Sequence, residues 1–188
     1  MTRKLLEIER KRQLTGDAKE LIKRLQDLGF ELQSNLREID TYYSRPDVDF
    51  MQTVECLRIR QRDGFAEVTY KPATTIATHT KNDVIIKPET NLPIQPENAA
   101  IAKQLLANLG MVQLVEVNKY RRSFQSPDFP QATVAIDEIK DAGTFVEVEV
   151  LSDDETSALA MISDIETKLD LETAEVVTQP YRDICMGL

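Results

Sequence analysis

Six separate segments of this chain sort into two faces with a period of two, charged residues recurring on one of them, and that alternation restricts the fold more than any other feature. The segments are Glu7-Ile8-Glu9-Arg10-Lys11, Leu57-Arg58-Ile59-Arg60, Val68-Thr69-Tyr70-Lys71, Lys119-Tyr120-Arg121-Arg122, Val134-Ala135-Ile136-Asp137 and Val146-Glu147-Val148-Glu149-Val150. In a β-strand, side chains two apart share a face. Glu7 and Glu9 therefore point away from Ile8, and Glu147 and Glu149 away from Val146, Val148 and Val150. One such strand is an ordinary half-exposed sheet. Six of them, carrying both signs of charge, require a common surface.

The remaining pattern supplies the frame. Residues 3–13 and 30–45 read as strands, and a hairpin joins the 57–60 and 67–71 runs through a turn near Arg62-Asp63-Gly64. Further strands are expected at Asp83–Lys87, within the Thr- and Pro-rich stretch 72–96, and at 111–125, 131–140 and 144–151. Helical spacing runs from Ala18 to Leu28, closed by Gly29, and from Glu97 to Leu109, closed by Gly110. A third helix is expected from about Asp154 to Leu169 with Ser152 or Asp153 as N-cap, while Glu175–Leu188 is weakly patterned and at most helical. Helix, glycine, strand occurs twice, which suggests one domain over 1–188 built from two related halves, about 1–95 and 96–188. The strand number suffices to close an eight-stranded antiparallel β-barrel with helices outside, an α+β fold.

Helices packed outside need the aliphatic face, so the charged face becomes the lumen. It would carry Glu7, Glu9, Asp137, Glu147 and Glu149 against Lys11, Arg58, Arg60, Lys71, Lys119 and Arg121. Burying such a set without a ligand is costly, because desolvation can exceed the Coulomb gain. A hydrated tunnel that binds a metal and a polyphosphate relieves that cost. Carboxylates suit a hard cation, Mg²⁺ or Mn²⁺, and arginine forks and lysine ammoniums suit phosphoryl oxygens.

Overall charge narrows the partners. With 23 basic and 32 acidic residues the net charge is -9, which argues against nucleic acid and anionic membranes but not against a small anion held locally. No 18-residue apolar run exists and charge begins at Arg3, so neither a signal peptide nor a membrane-spanning helix is expected. Cys56 and Cys185 have no framework or metal spacing; they read as packing or surface thiols in a reduced, cytoplasmic setting. A homodimer is compatible with the chain.

These motifs, taken in order with Phe145, resemble the CYTH superfamily, the triphosphate tunnel metalloenzymes, over roughly residues 3–151. The resemblance implies an eight-stranded antiparallel tunnel that binds a triphosphate through Lys11, Arg58, Arg60, Lys71, Lys119 and Arg121. It assigns a metal to Glu7, Glu9, Asp137, Glu147 and Glu149, and a catalytic role to Glu9, Lys11, Lys71 and Glu149. Within the superfamily, Asp40-Thr41-Tyr42-Tyr43, Asp49-Phe50 and Glu55-Cys56 look most like the class IV adenylyl cyclases. That branch converts ATP to cyclic AMP and pyrophosphate. The alternative is a triphosphatase acting on inorganic triphosphate, thiamine triphosphate or a nucleoside triphosphate; a third reading is a binding module without turnover. Residues 76–90 depart from the family, and together with Tyr43 they are the expected determinants of base or ribose contacts. His79 lies in that polar stretch and is not expected to be catalytic.

Overall fold

The computed structural model describes residues 6–73 and 89–187. Among these described residues there are eight strands: β1 (Leu6–Leu14), β2 (Glu31–Ser44), β3 (Cys56–Arg62), β4 (Phe65–Lys71), β5 (Thr90–Ile94), β6 (Val112–Ser126), β7 (Phe129–Ile139) and β8 (Gly143–Ser152). The same residues form helices α1 (Ala18–Asp27), α2 (Ala99–Asn108), α3 (Glu155–Lys168) and α4 (Tyr181–Met186), with a 3-10 turn at Pro96–Asn98. The expected strand at 83–87 and His79 lie outside the described residues.

All eight strands form one antiparallel sheet in the order β1-β8-β7-β6-β2-β3-β4-β5. The sheet is strongly curved, but it is not the closed barrel expected from the strand count. Among the described residues, β1 and β5 share no ladder. A physical reason is visible at β1, whose free edge is taken by the C-terminal segment. Gln13 N donates to Glu175 O and Val177 N to Lys11 O, both at 2.9 Å. An occupied edge no longer seeks a partner strand.

The alternation sorts as the sequence implies. Ile8, Val134, Ile136, Val146, Val148 and Val150 face outward and pack with Leu21 and Leu25 of α1 and Ile162 and Ile165 of α3. Each such fully buried aliphatic contributes about 1.5–3 kcal/mol. A second apolar group lies under α2, where Tyr43, Ile59, Ala66 and Ala99 meet. A third joins α4 and the C-terminal segment to the sheet through Tyr42, Val117, Ile139, Phe145 and Tyr181. On β1, Arg10 and Arg12 also face outward. Both pair with the buried Glu166 of α3, Arg12 through two bonds of 2.7 and 2.8 Å and Arg10 through one of 2.9 Å.

Local signals explain the helix limits. Asp17 caps α1 by accepting from Lys19 N at 2.8 Å. The helices α1 and α2 end at Gly29 (φ 77°) and Gly110 (φ 81°), left-handed positions that favour glycine. The cap of α3 is Asp154, not Ser152 or Asp153: its Oδ1 accepts from Thr156 N at 3.0 Å. Ser152 Oγ instead accepts from Asp154 N, one step outside the helix. Among the described residues, no helix is long and apolar enough to cross a membrane.

Candidate active site

The concave face of the sheet encloses a cavity of about 370 Å³ lined by ten of the eleven charged residues named from the sequence: Glu7, Glu9, Lys11, Arg58, Arg60, Lys71, Lys119, Arg121, Glu147 and Glu149. The eleventh, Asp137, is fully buried behind them. Pairing between β1 and β8 sets Glu9 directly opposite Glu149 and Lys11 opposite Glu147. Like charges opposed across a ladder are destabilising unless a cation intervenes.

Three carboxylates converge there. Single oxygens of Glu7, Glu9 and Glu149 all lie within 4.8 Å of one another. Burial, and then the Glu147 carboxylate, push Glu9 up to about 7; burial, and then Glu7 and Glu9, push Glu149 up to about 7. An all-oxygen donor set that resists holding its own charge is the chemistry expected of a site for a hard divalent cation. The residues therefore fit Mg²⁺ or Mn²⁺.

The other two expected metal residues have basic partners of their own. Asp137 sits under Arg121, accepting from its Nε at 2.7 Å, with Lys119 Nζ at 3.9 Å. Glu147 pairs with the same Arg121. Asp137 thus backs the basic wall, while Glu147 stands between that wall and the carboxylate cluster, where it acts on Glu9.

Every cation of that wall is backed by an acid. Asp40, nearly fully buried, accepts two bonds of 2.7 Å from the Arg60 guanidinium and lies 3.9 Å from Arg58. Burial works against the Asp40 charge, but the Arg60 hydrogen bonds win and hold it well below the usual carboxylate range. Glu38, equally buried, lies 3.1 Å from Lys119 and 3.5 Å from Arg60. Glu89 lies 3.2 Å from Lys71 and 3.7 Å from Arg58. Burial pulls both Lys11 and Lys119 below the usual lysine value. Lys11 also donates to the Gln179 carbonyl at 2.5 Å and sits 4.2 Å from the Tyr181 ring centroid.

Sequence reasoning missed Glu38 and Glu89, and it quoted Asp40 only as part of a motif. Glu38, Asp40 and Tyr42 stand two apart on β2, so the alternation that marked β1 could have marked them. Tyr181 and Arg182 of α4 also line the cavity, and no local signal announces them. Tyr43 is a correction: it is 3% exposed in the core beneath α2, whereas Tyr42 lines the cavity. The strand's alternation puts adjacent tyrosines on opposite faces. Cys56 borders the cavity and Cys185, in α4, packs against the apolar cluster that ties this helix to the sheet; burial pushes both thiols up.

A family model described as the CYTH domain matches residues 5–181. A protein of Methanocaldococcus jannaschii, provisionally named an adenylate cyclase, is 26% identical over 183 residues, spanning 96% of this chain and 98% of its own. A solved structure from Pyrococcus horikoshii OT3 is 25% identical with a TM-score of 0.75, covering 93% of this chain and 95% of that one. A Hippeastrum protein, provisionally called an adenylyl cyclase and described by a dominant triphosphatase activity, shares the fold. Its TM-score is 0.69 at 12% identity, over 97% of this chain and 95% of that one.

Proposed function

The chain belongs to the CYTH domain family, and from that premise we propose that it is a divalent-metal-dependent enzyme of the class IV adenylyl cyclase type, converting ATP to cyclic AMP and pyrophosphate. One observation carries the reading: a single cavity holds a three-carboxylate cluster on β1 and β8 and a wall of arginines and lysines on β3, β4 and β6. The name of the Methanocaldococcus jannaschii relative supports the cyclase chemistry.

Glu7, Glu9 and Glu149 would hold Mg²⁺ or Mn²⁺, which when bound lowers the pKa of a nearby hydroxyl and neutralises phosphoryl charge. Arg58, Arg60, Lys71, Lys119 and Arg121 bind the phosphate chain, and Lys11 reaches it from β1. Asp40, Glu38, Asp137 and Glu147 fix the direction of those cations, so little reorganisation is left for the reaction itself. The ribose 3′-oxygen attacks the α-phosphorus in line, and the bond from that phosphorus to the bridging oxygen of the β-phosphate breaks. The hydroxyl proton leaves to water, and pyrophosphate departs with its charge held by the basic wall.

The same cavity supports hydrolysis of the terminal phosphate as a second reading. Its favouring observation is Glu7, which is solvent-exposed and so lets water reach the carboxylate cluster. The test is chromatography of products from ATP and from inorganic triphosphate, with Mg²⁺ and Mn²⁺ in turn. Cyclic AMP with pyrophosphate supports the cyclase; orthophosphate from either substrate supports the hydrolase. No turnover of either substrate refutes both.

A further inference from the structure

Lys11 is held differently from the other lysines of the cavity. Lys71 has Glu89 at 3.2 Å and Lys119 has Glu38 at 3.1 Å. Among the described residues, the groups that touch the Lys11 ammonium are neutral: the Gln179 carbonyl at 2.5 Å and the Tyr181 ring, whose centroid is 4.2 Å away. The Glu147 and Glu9 charges act on it from beyond ion-pair distance. A carbonyl dipole and an aromatic quadrupole orient an ammonium without cancelling its charge. That charge stays available to an anion.

The same ring serves a second cation. Lys119 Nζ lies 5.4 Å from its centroid, so two like charges share one aromatic surface. Packing fixes the ring. Tyr181 is 8% exposed, meets Phe145 with centroids 5.3 Å apart, and precedes Arg182, whose Nη1 donates to the Glu55 carbonyl at 2.7 Å. The segment that carries it is tied to β1 at Lys11 itself, where Val177 N donates to Lys11 O at 2.9 Å. Tyr181 Oη is buried without a regular hydrogen bond, although the Asp137 carboxylate lies close enough to act on it. The hydroxyl therefore anchors little, and the ring is the part that meets the cations.

Resting on the triphosphate site proposed above, we propose that Tyr181 is a positioning residue for substrate binding, its ring presetting the Lys11 and Lys119 ammoniums toward the phosphate chain. Preset cations have less side-chain freedom to lose when the anion arrives. A desolvated cation–π contact is strong enough for an effect of about tenfold on affinity.

The test is calorimetric titration of inorganic triphosphate in EDTA against wild type, Tyr181→Phe, Tyr181→Leu, Lys11→Met and the double variant carrying Lys11→Met and Tyr181→Leu, with folding followed by circular dichroism. Tyr181→Leu should weaken triphosphate about tenfold, and Tyr181→Phe, which restores the ring, should stay within about twofold of wild type. In the Lys11→Met background the loss from Tyr181→Leu should shrink to about threefold or less, because the ring acts through Lys11. Three results would each overturn the inference: equal losses in Tyr181→Phe and Tyr181→Leu, a wild-type affinity in Tyr181→Leu, or the same loss with and without Lys11. All three leave the triphosphate site standing. Should Tyr181→Leu not fold, NMR of the wild type decides. The ring current should place the Lys11 ε-methylene protons, identified by their absence in Lys11→Met, upfield of those of exposed lysines, and saturating triphosphate should leave them there. Ordinary positions in either state would overturn the inference. Failure of wild type to bind triphosphate at all would remove the site and this inference together.

Discussion

Replacing Glu9 with glutamine should stabilise the metal-free protein at alkaline pH, although the residue belongs to the candidate metal site. Glu9 faces Glu149 across the ladder and shares its surroundings with Glu147 and Glu7, and its pKa rises from 4.5 to about 7. A carboxyl whose folded pKa exceeds its unfolded value binds protons more tightly in the folded state. Stability therefore falls as pH climbs from 4.5 to about 7 and is flat beyond it. At 1.36 kcal/mol per pH unit the whole penalty is about 3 kcal/mol at pH 8. Because neighbouring carboxylates titrate with Glu9, about 2 kcal/mol is the working figure. For a chain of this size that is a gain of about 4–8 °C in Tm. At pH 5 most of the penalty is absent, and the gain should shrink below about 2 °C. The assay is thermal unfolding followed by circular dichroism in EDTA at both pH values, then with excess Mn²⁺. Metal should raise wild type well above Glu9→Gln and reverse their order. Refutation would be a variant no more stable than wild type at pH 8, or a gain equal at both pH values.

Other perturbations have distinct signatures. Asp40→Asn leaves the buried Arg60 without its paired carboxylate, and should cost about 3 kcal/mol in urea unfolding. A loss under about 1 kcal/mol would deny Asp40 its anchoring role. Arg58→Ala and Lys71→Ala should weaken triphosphate binding in calorimetry at least about tenfold more than monophosphate binding, since each removes a charged contact to the phosphate chain. Equal losses would count against an extended phosphate wall. Glu166→Ala strands Arg10 and Arg12 between β1 and α3; unfolding free energy should fall by about 3–5 kcal/mol, with little change in triphosphate affinity.

The lumen was legible because strand alternation leaves a record in the sequence. Glu7, Glu9, Arg58, Arg60, Lys119, Arg121, Glu147 and Glu149 all reach the cavity named for them. What alternation cannot give is pairing across the sheet. Whether Glu147 joins Glu149 or Arg121 depends on its distance from a residue on a different strand, and Asp137 poses the same question. The edge strand β5 was hidden by Pro93, which is unusual in a strand and tolerated at an edge. Closure was misjudged because the C-terminal segment occupies the β1 edge, a tertiary contact with no local pattern. The same holds for Tyr181 and Arg182, whose six-residue helix is too short to show periodicity.

A calorimetric titration of Mn²⁺ into the metal-free protein, with and without inorganic triphosphate, tests most directly whether the carboxylate cluster and the basic wall form one site. One Mn²⁺ per chain should bind, at least about tenfold more tightly when triphosphate is present, a coupling of about 1.4 kcal/mol. Glu149→Gln should abolish that binding while leaving triphosphate binding measurable. Mn²⁺ affinity indifferent to triphosphate, or unchanged in Glu149→Gln, would contradict a shared metal and triphosphate site.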